Sequence, residues 1–216
     1  MNVPSLPPAG PVLLLLSAPS GGGKTTVCRQ LLERVPGLVR VTTCTTRPPR
    51  PGERDGVDYH FLTPAEFERQ VAAGAFLEHA LVYGHRYGTR RAEVLEGLAR
   101  GQDVLLNVDV QGAAHLRAVA ARDPRLRAAL VTVFLAPPSI ETLAERLHRR
   151  GQDPPEVIER RLAEARREIA AWPEFDYLVV SGTVEEDLRR VQAILEAERL
   201  RTARRKAGEA PGPPAA

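Results

Sequence analysis

Short runs that are apolar at nearly every position, alternating with helical patterns, constrain this chain more than any other feature. The runs cover residues 12–17, 38–43, 103–108, 130–135 and 177–180; the helical patterns cover 24–34, 111–121, 140–149, 155–171 and 184–204. A strand with no polar face has nothing to offer water and must be covered on both sides. Such strands, joined through helices, predict an α/β fold: a parallel sheet flanked by helices on both faces. The 216 residues suffice for one sizeable core with insertions.

The rhythm breaks between residues 43 and 89. There the chain reads "TTRPPRPGERDGVDYHF", then a short helical pattern over 64–73, then "FLEHALVYGHRYGT". Turn residues, aromatics and short alternating runs predict an inserted α+β subdomain over 43–89, leaving 12–42 and 90–205 for the core. A second break, "RRGQDPP", joins two Arg-rich helical patterns. It predicts a mobile helical lid over 139–162. The Pro-rich residues 1–11 predict a loose N-terminus. Residues 206–216, ending in "EAPGPPAA", predict a disordered tail.

Composition removes several function classes. The net charge is only +3, and the arginines alternate with glutamates along the helical patterns, as on a solvated, ion-paired face. Nucleic-acid binding is not expected. Cys28 and Cys44 make no metal-ligand spacing and read as free thiols of a reducing cytosol. The five histidines form no HxxxH or Cys/His cluster, which argues against a structural zinc. The apolar run near the N-terminus is too short for a signal or a membrane span, so a cytoplasmic location is expected.

Among thirty basic residues only Lys24 and Lys206 are lysines, and Lys24 stands behind three consecutive glycines in "SAPSGGGKTTVC". The segment leaves an apolar strand and opens a helix, the context of a phosphate-binding loop. Gly21, Gly22 and Gly23 would let backbone N–H groups converge on phosphate oxygens. Lys24 would reach the β- and γ-phosphates, and the Thr25 hydroxyl would bind Mg²⁺. A compact ammonium fits inside such a loop where a planar guanidinium does not. The pattern G-x-x-x-x-G-K-[ST] is missed once, because Ala18 replaces the first glycine.

Two phosphate chemistries compete at this point. "DVQG" (109–112) imitates a GTPase switch, but guanine-binding GTPases need an Asn-Lys-x-Asp element, and the only other lysine lies in "RRKAGE". A nucleoside-monophosphate kinase fits better, since it needs a second anion clamp and a lid. Arg47, Arg50 and Tyr59 supply the clamp, with prolines limiting the backbone around the arginines, and Tyr87 adds a phenolic donor.

At these residues the sequence resembles the guanylate kinase family, from about residue 12 to 195. "SAPSGGGKTT", "TTRPPRPGE", "DGVDYHF", "FLEHALVYGHRYGT" and "DVQGA" match in order and spacing, and "FLAPPS" followed by "ERLHRRGQD" looks like the family's lid entry. The resemblance implies a P-loop kinase in which the inserted subdomain binds GMP. It implies ATP contacts from Ala18, Pro19, Ser20, Gly21, Gly22, Gly23, Lys24, Thr25 and Thr26, with Thr25 at the metal. It implies GMP-phosphate contacts from Arg47, Arg50, Tyr59 and Tyr87, and guanine contacts from Thr43, Glu78, Thr89 and Asp109. Arg146, Arg150 and Arg161 would surround the transferring phosphoryl group together with Lys24 and Arg47.

The implied reaction is ATP + GMP → ADP + GDP, with dGMP as an alternative acceptor and Mg²⁺ entering with ATP. The acceptor phosphate is already mostly ionised near neutral pH, so no general base is needed. Neither nucleic acid nor membrane is an expected partner, and a monomer or small homo-oligomer is expected. Two positions depart from the family pattern: Asn107 stands where an aspartate is usual, and Ser181 where an asparagine is expected beside adenine. A silent, partner-binding relative of such kinases usually lacks the ATP loop; this chain keeps Lys24 and Thr25.

Overall fold

The computed structural model describes residues 9–82, 84–150 and 154–207. In chain order the elements are β1 (Leu13–Ser17), α1 (Lys24–Arg34), β2 (Leu38–Arg40), β3 (Cys44–Thr45), β4 (His60–Phe61), α2 (Pro64–Ala72), β5 (Phe76–Val82), β6 (His85–Arg90) and α3 (Arg91–Ala99). They continue with β7 (Asp103–Asn107), α4 (Val110–Ala120), α5 (Pro124–Ala129), β8 (Leu130–Ala136), α6 (Ile140–Arg150), α7 (Pro155–Ile169), β9 (Tyr177–Val180), α8 (Val184–Leu200) and α9 (Thr202–Ala207).

The apolar runs build one five-stranded sheet in the order β2-β7-β1-β8-β9, parallel throughout. β1 is its centre because "LLLL" can be buried from both sides. Leu14 and Leu16 join the cluster under α1 and α8, whereas Leu13 and Leu15 join the cluster under α4 and α5. Each of these leucines is fully buried, a contribution of roughly 2 kcal/mol apiece. From β1 the chain first adds β2 and then β7 on one side, and afterwards crosses over β1 to add β8 and β9 on the other. Ligands of open parallel sheets bind at the carboxyl ends of the strands around such a reversal.

The remaining strands form a separate mixed sheet in the order β4-β3-β6-β5. β3 and β4 run parallel, while β6 is antiparallel to both β3 and β5. Helix α4 packs on β5 and joins the two sheets. Helices α6 and α7 carry a small apolar cluster of their own, with Leu143, Leu147, Ile158 and Ala165 buried.

Some expected boundaries move. The run 38–43 is a strand only to Arg40, because the chain then leaves the edge of the parallel sheet and enters the second sheet at Cys44. The helical pattern 184–204 breaks at Arg201, whose extended backbone (ψ 125°) separates α8 from α9. Helix α9 runs to Ala207, two residues into the segment expected to be a disordered tail; 208–216 lie outside the described residues, as do 1–8 and the lid residues 151–153. Cys28 and Cys44 are buried free thiols, and burial pushes them up to about 12 and about 11.

Candidate functional site

The glycine-rich segment folds into a tight loop between β1 and α1. Gly21 (φ 84°) and Gly23 (φ 89°) take the left-handed backbone that side chains resist, and the Gly22 amide donates to Pro19 O at 2.9 Å. A methyl group on Gly22 would stand 3.0 Å from both Pro19 O and Ala18 Cβ. The same position explains Ala18: it packs at 2% exposure where the family's first glycine would be, and the loop still closes. Residues 18–26 line a cavity of about 190 Å³ together with Val82, Asp109 and Glu168.

Lys24 opens α1, and its Nζ donates to Val108 O at 2.7 Å. Burial lowers its pKa, and the Asp109 carboxylate opposes that shift most strongly. A buried ammonium whose charge is disfavoured by burial gains from a phosphate that enters. Thr25 is exposed at the same cavity. The side-chain oxygens there that a metal could use include the Thr25 hydroxyl and the Asp109 and Glu168 carboxylates. A short oxygen set suits Mg²⁺, which keeps waters and phosphate oxygens as its other ligands. Among the described residues, no three His, Cys, Asp or Glu side chains form a metal-holding group of their own.

The residues expected to form a second anion clamp are carried by the mixed sheet and the loop after β3. Both Nη2–Oε distances from Arg47 to Glu53 are 2.9 Å, and Glu53 also accepts from the Arg50 amide at 2.8 Å. Burial opposes the Arg47 charge, yet hydrogen bonds to Glu53 and Tyr87 hold its pKa above the ordinary value. The Tyr59 ring lies near two guanidinium groups, Arg47 at 5.3 Å and Arg40 at 5.9 Å, and meets Tyr87 edge-on at 6.1 Å. Burial raises the Tyr59 pKa, so its phenol stays a donor. The structure therefore gathers Arg47, Tyr59 and Tyr87, with Arg50 exposed at the rim.

Glu78 lies on β5, opposite Thr89 on β6. Its carboxylate is 3% exposed and accepts from the Thr89 hydroxyl at 2.5 Å. Burial pushes the carboxyl up to about 7, helped by Asp109 and opposed by Thr89 and Lys24. Asp109 caps α4 by accepting from the Gly112 amide at 2.7 Å. Gly112 faces Glu78: a Cβ there would come within 2.6 Å of Glu78 Oε2. Thr43 is half-buried and bonds through its carbonyl to the His60 amide at 2.9 Å. Thr89, Glu78 and Asp109 thus converge, joined by Gly112.

A second cavity of about 420 Å³ shares Gly21, Gly23 and Thr26 with the first and is closed by Arg146, Ser181, Gly182 and Asp187. The Ser181 hydroxyl donates to Asp187 at 2.7 Å and accepts from both Arg146 Nη atoms at 3.3 and 3.4 Å. Arg146 therefore lines this second cavity and not the first. Arg161 is half-buried on α7, while the Arg150 side chain lies outside the described part of the structure. Asn107 ends β7, paired in register with Leu16.

Several contributors carry no local signal. Glu53 sits within "PRPGE", but its pairing with Arg47 depends on the fold of that turn. Arg40 reads as an edge-strand charge until Tyr59 folds beside it. Glu168 reaches the Ser20 amide at 3.0 Å across 148 residues of sequence, a contact no spacing rule reveals.

Known proteins agree with this geometry. The guanylate kinase family model matches residues 11–198. The chain is 48% identical to the guanylate kinase of Paramagnetospirillum magneticum over 193 residues, 89% of this chain and 87% of that protein. It is 49% identical to the guanylate kinase of Sphingopyxis alaskensis, covering 89% and 85%. The crystal structure of guanylate kinase from Anaplasma phagocytophilum superposes with a TM-score of 0.75 at 34% identity, covering 93% of this chain and 92% of that one. The family match over residues 11–198 and this likeness along nine-tenths of the chain place it in the guanylate kinase family.

Proposed function

We propose that the chain transfers the γ-phosphoryl group of ATP to GMP or dGMP, with Mg²⁺ entering on ATP. The observation that supports this reading most is Glu78, a buried carboxylate within electrostatic reach of Lys24 and Asp109 and hydrogen-bonded to Thr89. Guanine presents N1–H and its 2-amino group side by side, and an ionised carboxylate can accept from both. Adenine offers a lone pair at that place and would leave the buried oxygens unpaired. Sites built on such bonds reject the analogue by roughly 10⁴-fold or more.

Residues 18–26 would hold the ATP phosphates, with Lys24 moving from Val108 O onto a phosphate oxygen. Mg²⁺ would supply charge neutralisation beside Thr25. Arg47, Arg50, Tyr59 and Tyr87 would grip the GMP phosphate, while Thr43, Glu78, Thr89 and Asp109 hold the base. Catalysis needs alignment of donor and acceptor and dispersal of charge, and the arginines serve both. The second cavity is the place for adenine, with Ser181 and Arg146 at its wall. Residues 43–89 would act as the GMP-binding subdomain of a core built from 12–42 and 90–205. Residues 139–162, with Arg146, Arg150 and Arg161, would act as the lid, since α6 and α7 share a small core of their own. Among the described residues no helix is long and apolar enough to cross a membrane. We place the enzyme in the cytoplasm as a monomer or small homo-oligomer.

The test is a panel of GMP, dGMP, AMP, UMP and CMP with ATP and Mg²⁺. GMP and dGMP should lead by orders of magnitude in kcat/KM. The GMP-to-AMP ratio should fall in Glu78→Gln, because an amide can donate to adenine N1. A ratio that does not move would remove Glu78 from base recognition.

A further inference from the structure

The phosphate cradle holds an anion supplied by the protein itself. Glu168 stands in the last turn of α7, and its Oε2 accepts from the Ser20 amide at 3.0 Å inside the cavity lined by Lys24, Thr25 and Asp109. That is the bond a phosphate oxygen makes to such a loop: an anion on a backbone N–H, strengthened by its charge. An amide has one hydrogen to give, so a phosphate and Glu168 cannot both hold it well. A triphosphate entering about 190 Å³ would also bring its charge against the Glu168 and Asp109 carboxylates together.

The surroundings already disfavour the Glu168 charge. Burial raises its pKa, Glu164 and Asp109 add to the rise, and the Ser20 amide and Lys24 oppose it. The contact is thus one that a better anion can displace. Its loss would be felt along α7, because this one helix carries both Glu168 and Arg161. Helix α7 packs on α6, and Leu147 of α6 faces Gly21 of the loop so closely that a Cβ on Gly21 would meet it at 2.9 Å. The loop therefore meets α6 through the apolar side chains of Leu143 and Leu147 and α7 through the Glu168 hydrogen bond, and only the hydrogen bond competes with phosphate.

We propose that Glu168 is a positioning residue that occupies the Ser20 amide before ATP binds and yields it to the triphosphate, so that arrival of the donor releases the helix bearing Arg161. This rests on the reading of residues 18–26 as the ATP site. The test is calorimetric binding of a non-hydrolysable ATP analogue with Mg²⁺ to the full chain, for the wild type, Glu168→Gln and Glu168→Ala. Removing the competitor should tighten binding by about tenfold in Glu168→Ala, the worth of one charge-assisted hydrogen bond. Glu168→Gln should tighten it less, since the amide oxygen still accepts from Ser20 without the charge. In steady state the KM for ATP should fall in both variants while the KM for GMP holds. Unchanged or weaker analogue binding in a folded Glu168→Ala would overturn the proposal and leave Glu168 as a structural tie. Absence of binding by the wild type would overturn the ATP-site reading along with it.

Discussion

A carboxylate as deeply buried as Glu78 is a poor anion until a ligand pairs with it, and that makes its chemistry visible in pH. With its pKa near 7 in the free protein, Glu78 is half protonated at neutrality. A protonated carboxyl offers one acceptor and one donor, which mismatches guanine's two donors. The kcat/KM for GMP should therefore fall as pH drops below about 7, beyond the decline caused by the substrate's own phosphate near pH 6. Only the second break should remain in Glu78→Gln; a shared break near 7 would assign that titration elsewhere. Stability carries the opposite sign. A carboxyl whose folded pKa is raised destabilises the fold increasingly between about 4.5 and 7, by roughly 3 kcal/mol once fully ionised. Denaturant titrations should show Glu78→Gln gaining on the wild type across that window and holding its gain above it. Lys24 makes a simpler case. Lys24→Arg should fold normally and lose turnover by roughly 100-fold or more, because a guanidinium cannot take the position from which Nζ reaches Val108 O at 2.7 Å. Near-normal turnover would refute the loop reading. Lys24 was legible because its meaning lies in its neighbours at fixed offsets. Glu168 and Arg40 were not, because theirs depends on partners that only the fold brings near.

Legibility of the elements follows the strength of their period. The central strand and α1 stand out because an unbroken apolar run and a glycine turn carry the signal locally, and β1 is buried at every position. Helix α5, of six residues, is too short for a 3.6-residue pattern to emerge; α3 has nine residues like α2, but one of its two buried positions is Gly97, which carries no apolar signal. Asp123 and Pro124 do spell a cap and first turn for α5. Strands β3 and β4 have two residues each and exist through their neighbours. Helix α4 shows how an element delivers a function. Its cap, Asp109, turns the first turn toward β5, and Gly112 lets that turn approach Glu78 to a distance no side chain permits. Gly112→Ala should leave stability almost unchanged, since alanine favours helix and the intruded atom is the end of a side chain. It should nevertheless turn Glu78 off the base, raising the KM for GMP by about tenfold with little change in the KM for ATP. An unaltered KM for GMP would mean that the carboxylate yields without consequence and is not set by α4.

At the scale of the molecule, the two sheets gather the candidate site residues, and the outermost described segments brace the frame behind them. Glu198 of α8 is 1% exposed, yet it is fully partnered: it accepts from Tyr177 at 2.6 Å, from Arg201 at 3.2 and 3.3 Å, and from Arg204 of α9 at 2.8 Å. Arg204 also donates to Ala128 O and Ala129 O at the end of α5, and its own carbonyl accepts from the Gly10 amide at 3.1 Å. One side chain thus ties α9, α8 and α5 together. The break at Arg201, which the continuous helical pattern of 184–204 concealed, is what brings Arg204 back onto Glu198. None of these residues lines either of the two cavities beside the glycine-rich loop. Arg204→Ala leaves Glu198 with Tyr177 and the exposed Arg201 but without its buried cation, and removing one partner of a buried ion pair costs about 3–5 kcal/mol. For a chain of this size, Arg204→Ala should lower Tm by roughly 6–15 °C, while kcat and both KM values at 25 °C stay near the wild type. The acid limb tells ion pair from packing. Burial opposes the Glu198 charge, but Tyr177, Arg204 and Arg201 hold its pKa below the ordinary value. The stability this pairing contributes is therefore present above about pH 4.5 and lost as pH falls through the depressed folded value. In the variant the Glu198 carboxyl, left with Tyr177 and the exposed Arg201, takes up a proton at a higher pH and sheds its penalty. The stability gap between the two proteins, measured by urea unfolding, should be full at pH 7 and close as pH approaches 4. A gap that stays constant across that range would show Arg204 to act through its packed stem and not through its charge.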